Sequence, residues 1–235
     1  MFGKKTPPAS ASLTLRAMAA LLSYPDAQLR GFIPGIGEVL HQERALSASR
    51  LTELDALLDT LARRDVLVNE AEYVSLFDRG RATSLHLFEH VHGDSRDRGP
   101  AMIDLAQTYE KAGLYLAEGE LPDYLPAVLE FVSTQPPAEA RAFLSEMAHI
   151  FNAIFSALQK HRSPYASILG ALLDLAGEKA EAVKLPVEED LDDNWAEPPV
   201  FDGCSTKGQA RPGQAQPIQI VRRPGASAPT PGVPS

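Results

Sequence analysis

Apolar residues between positions 12 and 178 recur every three or four residues, the period of one helix face, and no strand-like alternation of any length interrupts them. The spacing predicts a first helix over about 12–23, closed at Tyr24-Pro25 because a residue preceding proline is pushed out of the α region. Asp26 is placed to cap a second helix running toward His41, with a kink or break expected at Pro34-Gly35. Leu51, Leu54, Leu58 and Leu61 step by three and four and define a third helix from Ser47 to about Arg64. A fourth covers about 67–78 and stops before Gly80. A helix over about 97–112 carries Met102, Leu105 and Tyr109 on one stripe, and a shorter one over about 124–133 carries Leu125, Leu129 and Val132. The longest starts at Pro136-Pro137; its stripe of Ala140, Leu144, Met147, Phe151, Ile154 and Leu158 is widened by Phe143, Ile150 and Phe155. Ser163-Pro164 opens a last helix that stops at Gly177. Eight helices joined by short loops predict an all-α fold, a single globular bundle over residues 12–185.

Composition changes the picture past residue 185. Residues 186–235 hold 9 of the 19 prolines, with scattered Gly, Gln, Ser and Thr, and bury too little apolar surface to offset the entropy of ordering them. Seven acids and no base lie between Glu188 and Asp202, whereas Lys207, Arg211, Arg222 and Arg223 follow with no acid. The expectation is a disordered, charge-polarised tail, in which Trp195 and Phe201 could dock as a short motif, and a flexible N-terminus over 1–11. The whole chain carries 22 Lys+Arg against 31 Asp+Glu, a formal net charge of −9, which argues against a nucleic-acid partner held by phosphate contacts. Cys204 is alone, so it offers neither an internal disulfide nor a thiolate zinc site. Lys4 and Lys5 lead into Thr-Pro-Pro and no apolar run is long enough to span a bilayer, so the chain reads as cytoplasmic, with no direct membrane insertion.

The densest polar cluster runs from Leu85 to Asp94. His86 and His90 stand four apart, as a pair of metal ligands would on one helix face, and Glu89, His92 or Asp94 could complete a site. Here, however, the Glu directly precedes the second His, so the metalloprotease base is misplaced, and no second His pair or cysteine cluster supports a metal. No nucleophile elbow, phosphate loop or dinucleotide motif is present, so nothing demands an enzyme or a cofactor. A group of apolar and aromatic residues at element ends stands out instead. Tyr73, Leu76 and Phe77 end a helix and lead into Asp78-Arg79-Gly80-Arg81; Leu85, Leu87 and Phe88 follow in a loop-like stretch; and Leu121-Pro122-Asp123-Tyr124-Leu125-Pro126 is a stiff turn. An apolar floor with acidic rims suits a peptide helix with basic flanks. On pattern alone, these residues serve equally as ordinary core and caps.

The Tyr73-x-x-Leu76-Phe77 helix end and the Pro122-Asp123 turn, in this order, resemble the TorD/DmsD/NarJ superfamily of cytoplasmic assembly chaperones for molybdenum-cofactor oxidoreductases. The stretch Ser84–Gly99, with Leu121–Pro126 and Leu129-Glu130-Phe131, is similar more specifically to the nitrate reductase branch, the NarJ type. The resemblance covers about residues 12–178. It implies an all-helical chaperone, TorD-like in fold and not itself an enzyme. Such a chaperone binds the N-terminal segment of the apo catalytic subunit of respiratory nitrate reductase and holds it for molybdenum cofactor insertion and iron–sulfur maturation before membrane docking. Molybdenum cofactor biosynthesis proteins are a further implied partner, and another molybdoenzyme is the nearest alternative client. Carried over by position, Tyr73, Leu76 and Phe77 would line the client groove and Asp123 and Tyr124 would sit at its edge. Leu87 and Phe88 would extend the floor, while Glu72, Asp78, Glu89 or Asp123 would meet the client's cations. Tyr124 stands where the wider superfamily often has histidine after the Asp.

Overall fold

A computed structural model describes residues 10–93 and 95–181. Three helix starts carry the side-chain caps that satisfy otherwise orphaned backbone N–H groups. Asp26 accepts from Leu29 N at 2.8 Å to open α2 (Ala27–Glu43), Ser47 accepts from Arg50 N at 3.3 Å to open α3 (Ala48–Arg63), and Asp65 accepts from Leu67 N at 2.9 Å to open α4 (Val66–Tyr73). The first helix, α1 (Ser12–Leu21), borrows its cap from far along the chain: Glu43 accepts from Leu13 N at 3.0 Å and Thr14 N at 2.5 Å. That places a carboxylate against the positive end of the helix dipole. Beyond α4 come a π-helical turn (Val74–Asp78), a 3-10 turn (Arg81–Thr83) and the short α5 (Leu87–Val91). The remaining helices are α6 (Arg98–Lys111), α7 (Leu125–Ser133), α8 (Pro137–Glu146), α9 (Ala148–Lys160) and α10 (Ala166–Ala176). No strand occurs among the described residues, so the all-α class read from the pattern is the one observed.

The helix α10 is apolar on nearly every side, from Ile168 and Leu169 to Leu172 and Leu173, and is therefore central. It packs on α3, α8 and α9, while α1 lies between α2 and α7. Met18, Leu54, Leu129 and Phe151 have no exposed surface and mark the middle of the core. The exception is α6, whose one fully buried residue is Tyr109. Its hydroxyl donates to Pro122 O at 2.8 Å and its ring lies 4.8 Å from that of Phe131, so one aromatic anchors a peripheral helix beside the Pro122-Asp123 turn.

Two helix boundaries differ from the sequence reading. Of the kink or break expected at Pro34-Gly35, the break does not occur: α2 continues through Pro34. The buried stripe Leu29, Ile33, Ile36 and Leu40 continues across the proline, whose ring is on the exposed face. Burial of that stripe outweighs the roughly 3 kcal/mol that an interior proline costs. Conversely, the helix expected to run from Pro136-Pro137 through Leu158 divides at Met147 (φ −91°, ψ 0°) into α8 and α9. The His149 ring takes up the Glu146 carbonyl at 3.1 Å, and the division lets both pieces lie against α10. The loop-like stretch around Leu87 also forms α5. The proposed Pro-rich tail (186–235) and all but the end of the N-terminal segment (1–11) lie outside the described residues. No described helix is long and apolar enough to cross a membrane.

Phe151→Ala should lower unfolding stability by about 3–5 kcal/mol, the usual range for emptying a buried phenylalanine site, read as a lower urea midpoint at unchanged slope.

Candidate functional site

Asp123 organises the ground around the site. Its main chain pairs with the segment before α5: Leu87 N donates to Asp123 O at 3.0 Å and Leu125 N to Leu85 O at 2.9 Å, flanking an antiparallel bridge between His86 and Tyr124. Its carboxylate has no exposed surface. Phe88 N donates to Oδ2 at 3.2 Å, His86 Nδ1 lies 3.2 Å from Oδ1, and Arg98 Nη2 lies 3.8 Å from Oδ2. The hydrogen bond to Asp123 raises the His86 pKa, with burial opposing it.

Beside this clamp a cleft of about 650 Å³ opens between the end of α4 and the start of α6. Its aromatic wall is a connected set of rings: Tyr24 lies 5.6 Å from Tyr73, Tyr73 lies 4.8 Å from Phe77, and Phe77 packs edge-on to Tyr165 at 5.1 Å. The Tyr73 hydroxyl donates to Leu22 O at 2.7 Å and sits 3.1 Å from the Tyr124 hydroxyl, fixing both rings to the end of α1. Burial raises the pKa of Tyr73 and of Tyr124, so both hydroxyls are neutral donors and acceptors here. The charged lining is mixed. Asp78 and Glu89 supply carboxylates, while Arg79, Arg81 and Arg98 supply guanidiniums; Arg98 reaches Glu89 at 3.6 Å. Asp78 makes no ion pair or hydrogen bond among the described residues.

Of the expected site residues, Tyr73, Phe77, Asp78, Glu89 and Tyr124 line this one cleft. Leu76, Leu87, Phe88 and Asp123 do not. Leu87, expected on the groove floor, is 2% exposed and belongs to the core. Asp123, expected at the rim, is enclosed because its carboxylate caps the start of α5 and pairs with His86. The expected acidic rim is corrected to a rim of both signs. The sequence reading also missed Tyr24, which it used only as a helix terminator, and the cationic contribution of Arg79, Arg81 and Arg98. The Arg79-Gly80-Arg81 run directly after the aromatic helix end was the available signal. Among the described residues no histidine–carboxylate group is placed to hold a metal ion: His86 faces Asp123, His90 Nε2 lies 2.9 Å from Ser84 O, and His92 packs edge-on to Phe88.

Comparison with known proteins places these residues in context. Residues 43–169 match the family described as the nitrate reductase delta subunit. The chain is 42% identical to the nitrate reductase molybdenum cofactor assembly chaperone NarJ of Escherichia coli K12, over 74% of this chain and 73% of that one. It is 36% identical to the nitrate reductase-like protein NarX of Mycobacterium tuberculosis over 68% of this chain, a match spanning 24% of that longer protein. A crystal structure described as a redox enzyme maturation protein from Archaeoglobus fulgidus shares the fold, with a TM-score of 0.50 and 22% identity, over 71% of this chain and 94% of that one.

Asp123→Ala should destabilise the fold by about 1–3 kcal/mol, because Phe88 N and the His86 ring lose a buried acceptor. The same pair sets a pH dependence. A raised His86 pKa means that its stabilisation is full below about pH 6.5, the ordinary histidine value, and is lost as pH rises through the folded-state value. Urea midpoints measured across that window should fall for the wild type and stay flatter for His86→Gln.

Proposed function

The chain belongs to the nitrate reductase delta subunit family, and from that premise we propose that it is a cytoplasmic assembly chaperone, not an enzyme, for the catalytic subunit of respiratory nitrate reductase. It binds the N-terminal segment of the apo-subunit and keeps it open for molybdenum cofactor insertion and iron–sulfur maturation before membrane docking. Contact with the cofactor's biosynthesis proteins belongs to the same reading. One observation carries the choice of site: Tyr73, Phe77, Asp78, Glu89 and Tyr124 meet in a single cleft with an aromatic wall and exposed charge.

In this reading an amphipathic client helix lays apolar side chains against Tyr24, Tyr73, Phe77 and Tyr124, and its cations meet Asp78 and Glu89. Tyr73 and Phe77 are only 4% and 6% exposed and back the wall from behind, so the aromatic area left to desolvate lies on Tyr24, 45% exposed, and on half-buried Tyr124, where full burial of a side chain contributes roughly 1.5–3 kcal/mol. The exposed pairs contribute about 0.2–1 kcal/mol each and mainly orient the client. Arg79 disfavours a uniformly basic segment at that end, so the bound stretch should carry an acidic or neutral residue opposite it. Leu76, Leu87 and Asp123 act behind the surface, by holding the wall and the α5 edge in place, and half-buried Phe88 lies beside the cleft.

Isothermal titration with a synthetic peptide of the first ~30 residues of the same organism's nitrate reductase catalytic subunit, a length on the order of a helix plus flanks, should give saturable one-to-one binding with a negative heat-capacity change. Asp78→Asn should weaken it about 2–5-fold at low salt and reduce its salt dependence, with unfolding unchanged. Silence from a folded wild-type protein would overturn the choice of client segment.

A further inference from the structure

The element that delivers Asp78 to the cleft is unusual in its geometry. In an α-helix continuing from α4, successive residues advance by about 100°, so a residue five after Tyr73 would point well away from the Tyr73 face. Instead the chain closes a π turn over Val74–Asp78, with Arg79 N donating to Val74 O at 3.1 Å. Closing the ring on the fifth residue brings Asp78 round to the side already occupied by Tyr73 and Phe77, and all three line the cleft. A π turn is a poor structure in isolation and needs something to hold it.

What holds it is a hydroxyl. The Thr83 Oγ1 hydroxyl donates to Leu76 O inside the turn, and Gly80 O lies 3.1 Å from the same oxygen. Thr83 is 1% exposed, so this bond is shielded from water. The Arg81–Thr83 turn that carries it packs on α9, which ties the latch to the core. Gly80 is required for the approach: a Cβ there would lie 2.4 Å from Thr83 Oγ1 and 2.5 Å from Leu76 O, displacing the hydroxyl from its acceptor.

We propose that Gly80 and Thr83 form a positioning latch that keeps the 74–78 segment in the π conformation and thereby aims the Asp78 carboxylate into the cleft for a cation on the client helix. This rests on the client reading above and adds the residues that set the register of its charge recognition. Thr83 touches no client; it acts through Asp78.

A double-mutant cycle separates this role from a general structural one. With the catalytic-subunit peptide named above, Thr83→Val and Asp78→Asn should each weaken binding about 3-fold, and the double variant should be weakened by the same factor and not by the ninefold of independent sites. Thr83→Ser, which keeps the hydroxyl, should restore wild-type affinity. Hydrogen exchange at the Arg79 amide should quicken in Thr83→Val and not in Thr83→Ser, a readout that needs no client. Additive losses in the cycle, or unchanged binding by a folded Thr83→Val protein, would overturn the latch while leaving the client reading standing. A wild-type protein that ignores the peptide overturns the client reading itself. Should Thr83→Val not fold, Gly80→Ala displaces the same hydroxyl and takes its place in the cycle; failure of both to fold would show the latch to be a requirement of the fold and overturn its positioning role.

Discussion

A carboxylate with no exposed surface has to find its donors inside the protein, and Asp123 ties two other segments, the start of α5 and the head of α6, to its own turn in doing so. The Phe88 amide comes from the start of α5, the imidazole from His86 and a more distant guanidinium from Arg98 at the head of α6. His86, Arg98 and Tyr124 from these segments line the cleft, so its edge is held by one buried side chain. The backbone bonds between 85–87 and 123–125 reinforce the same joint and leave little freedom to adjust it. The cleft therefore opens beside Asp123 while Asp123 itself stays out of reach.

The cleft divides its work between two kinds of interaction. The rings of Tyr24, Tyr73, Phe77 and Tyr165 pack edge-on or tilted against one another, and the hydroxyls of Tyr73 and Tyr124 share the carbonyl end of α1 near Leu22. That wall is rigid and largely neutral, suited to affinity without much loss of side-chain freedom on binding. The charges sit around it and are exposed, so they sort partners by pattern more than they hold them. Glu89 is shared with Arg98, whereas Asp78 stands without a partner among the described residues. The π turn and the Thr83 hydroxyl hold the segment that carries Asp78.

Several expectations from the chain alone hold because they rest on local physics. Asp26 caps α2 as its position before an apolar stripe requires, α3 begins directly after Ser47, and Gly177 ends α10 at φ 83°. The expectations that fail are those in which distant contacts outweigh local preference. Pro34 fails to break α2 because its buried stripe packs on both sides of the proline. Met147 divides a pattern of unbroken helical period because α8 and α9 each find a place against α10. At the site the same split appears. The aromatic members and Asp78 were legible as an element end rich in apolar residues, but Leu76 and Phe77 look alike in sequence and only one of them faces the cleft.

Periodicity, capping residues and the aromatic helix end at Tyr73–Phe77 determined the all-α class, most helix positions and the neighbourhood of the cleft. These follow from interactions within a few residues, which a linear pattern records. The enclosure of Asp123, the mixed sign of the rim, the recruitment of Tyr24 and the π turn that aims Asp78 were decided by tertiary structure. Each depends on groups far apart in the chain meeting in one place: the joint of 85–88 with 122–125, or the approach of Thr83 to Leu76. Whether an acid becomes a buried clamp or an exposed contact is set by the donors that surround it after folding, and a sequence lists donors without saying which will arrive.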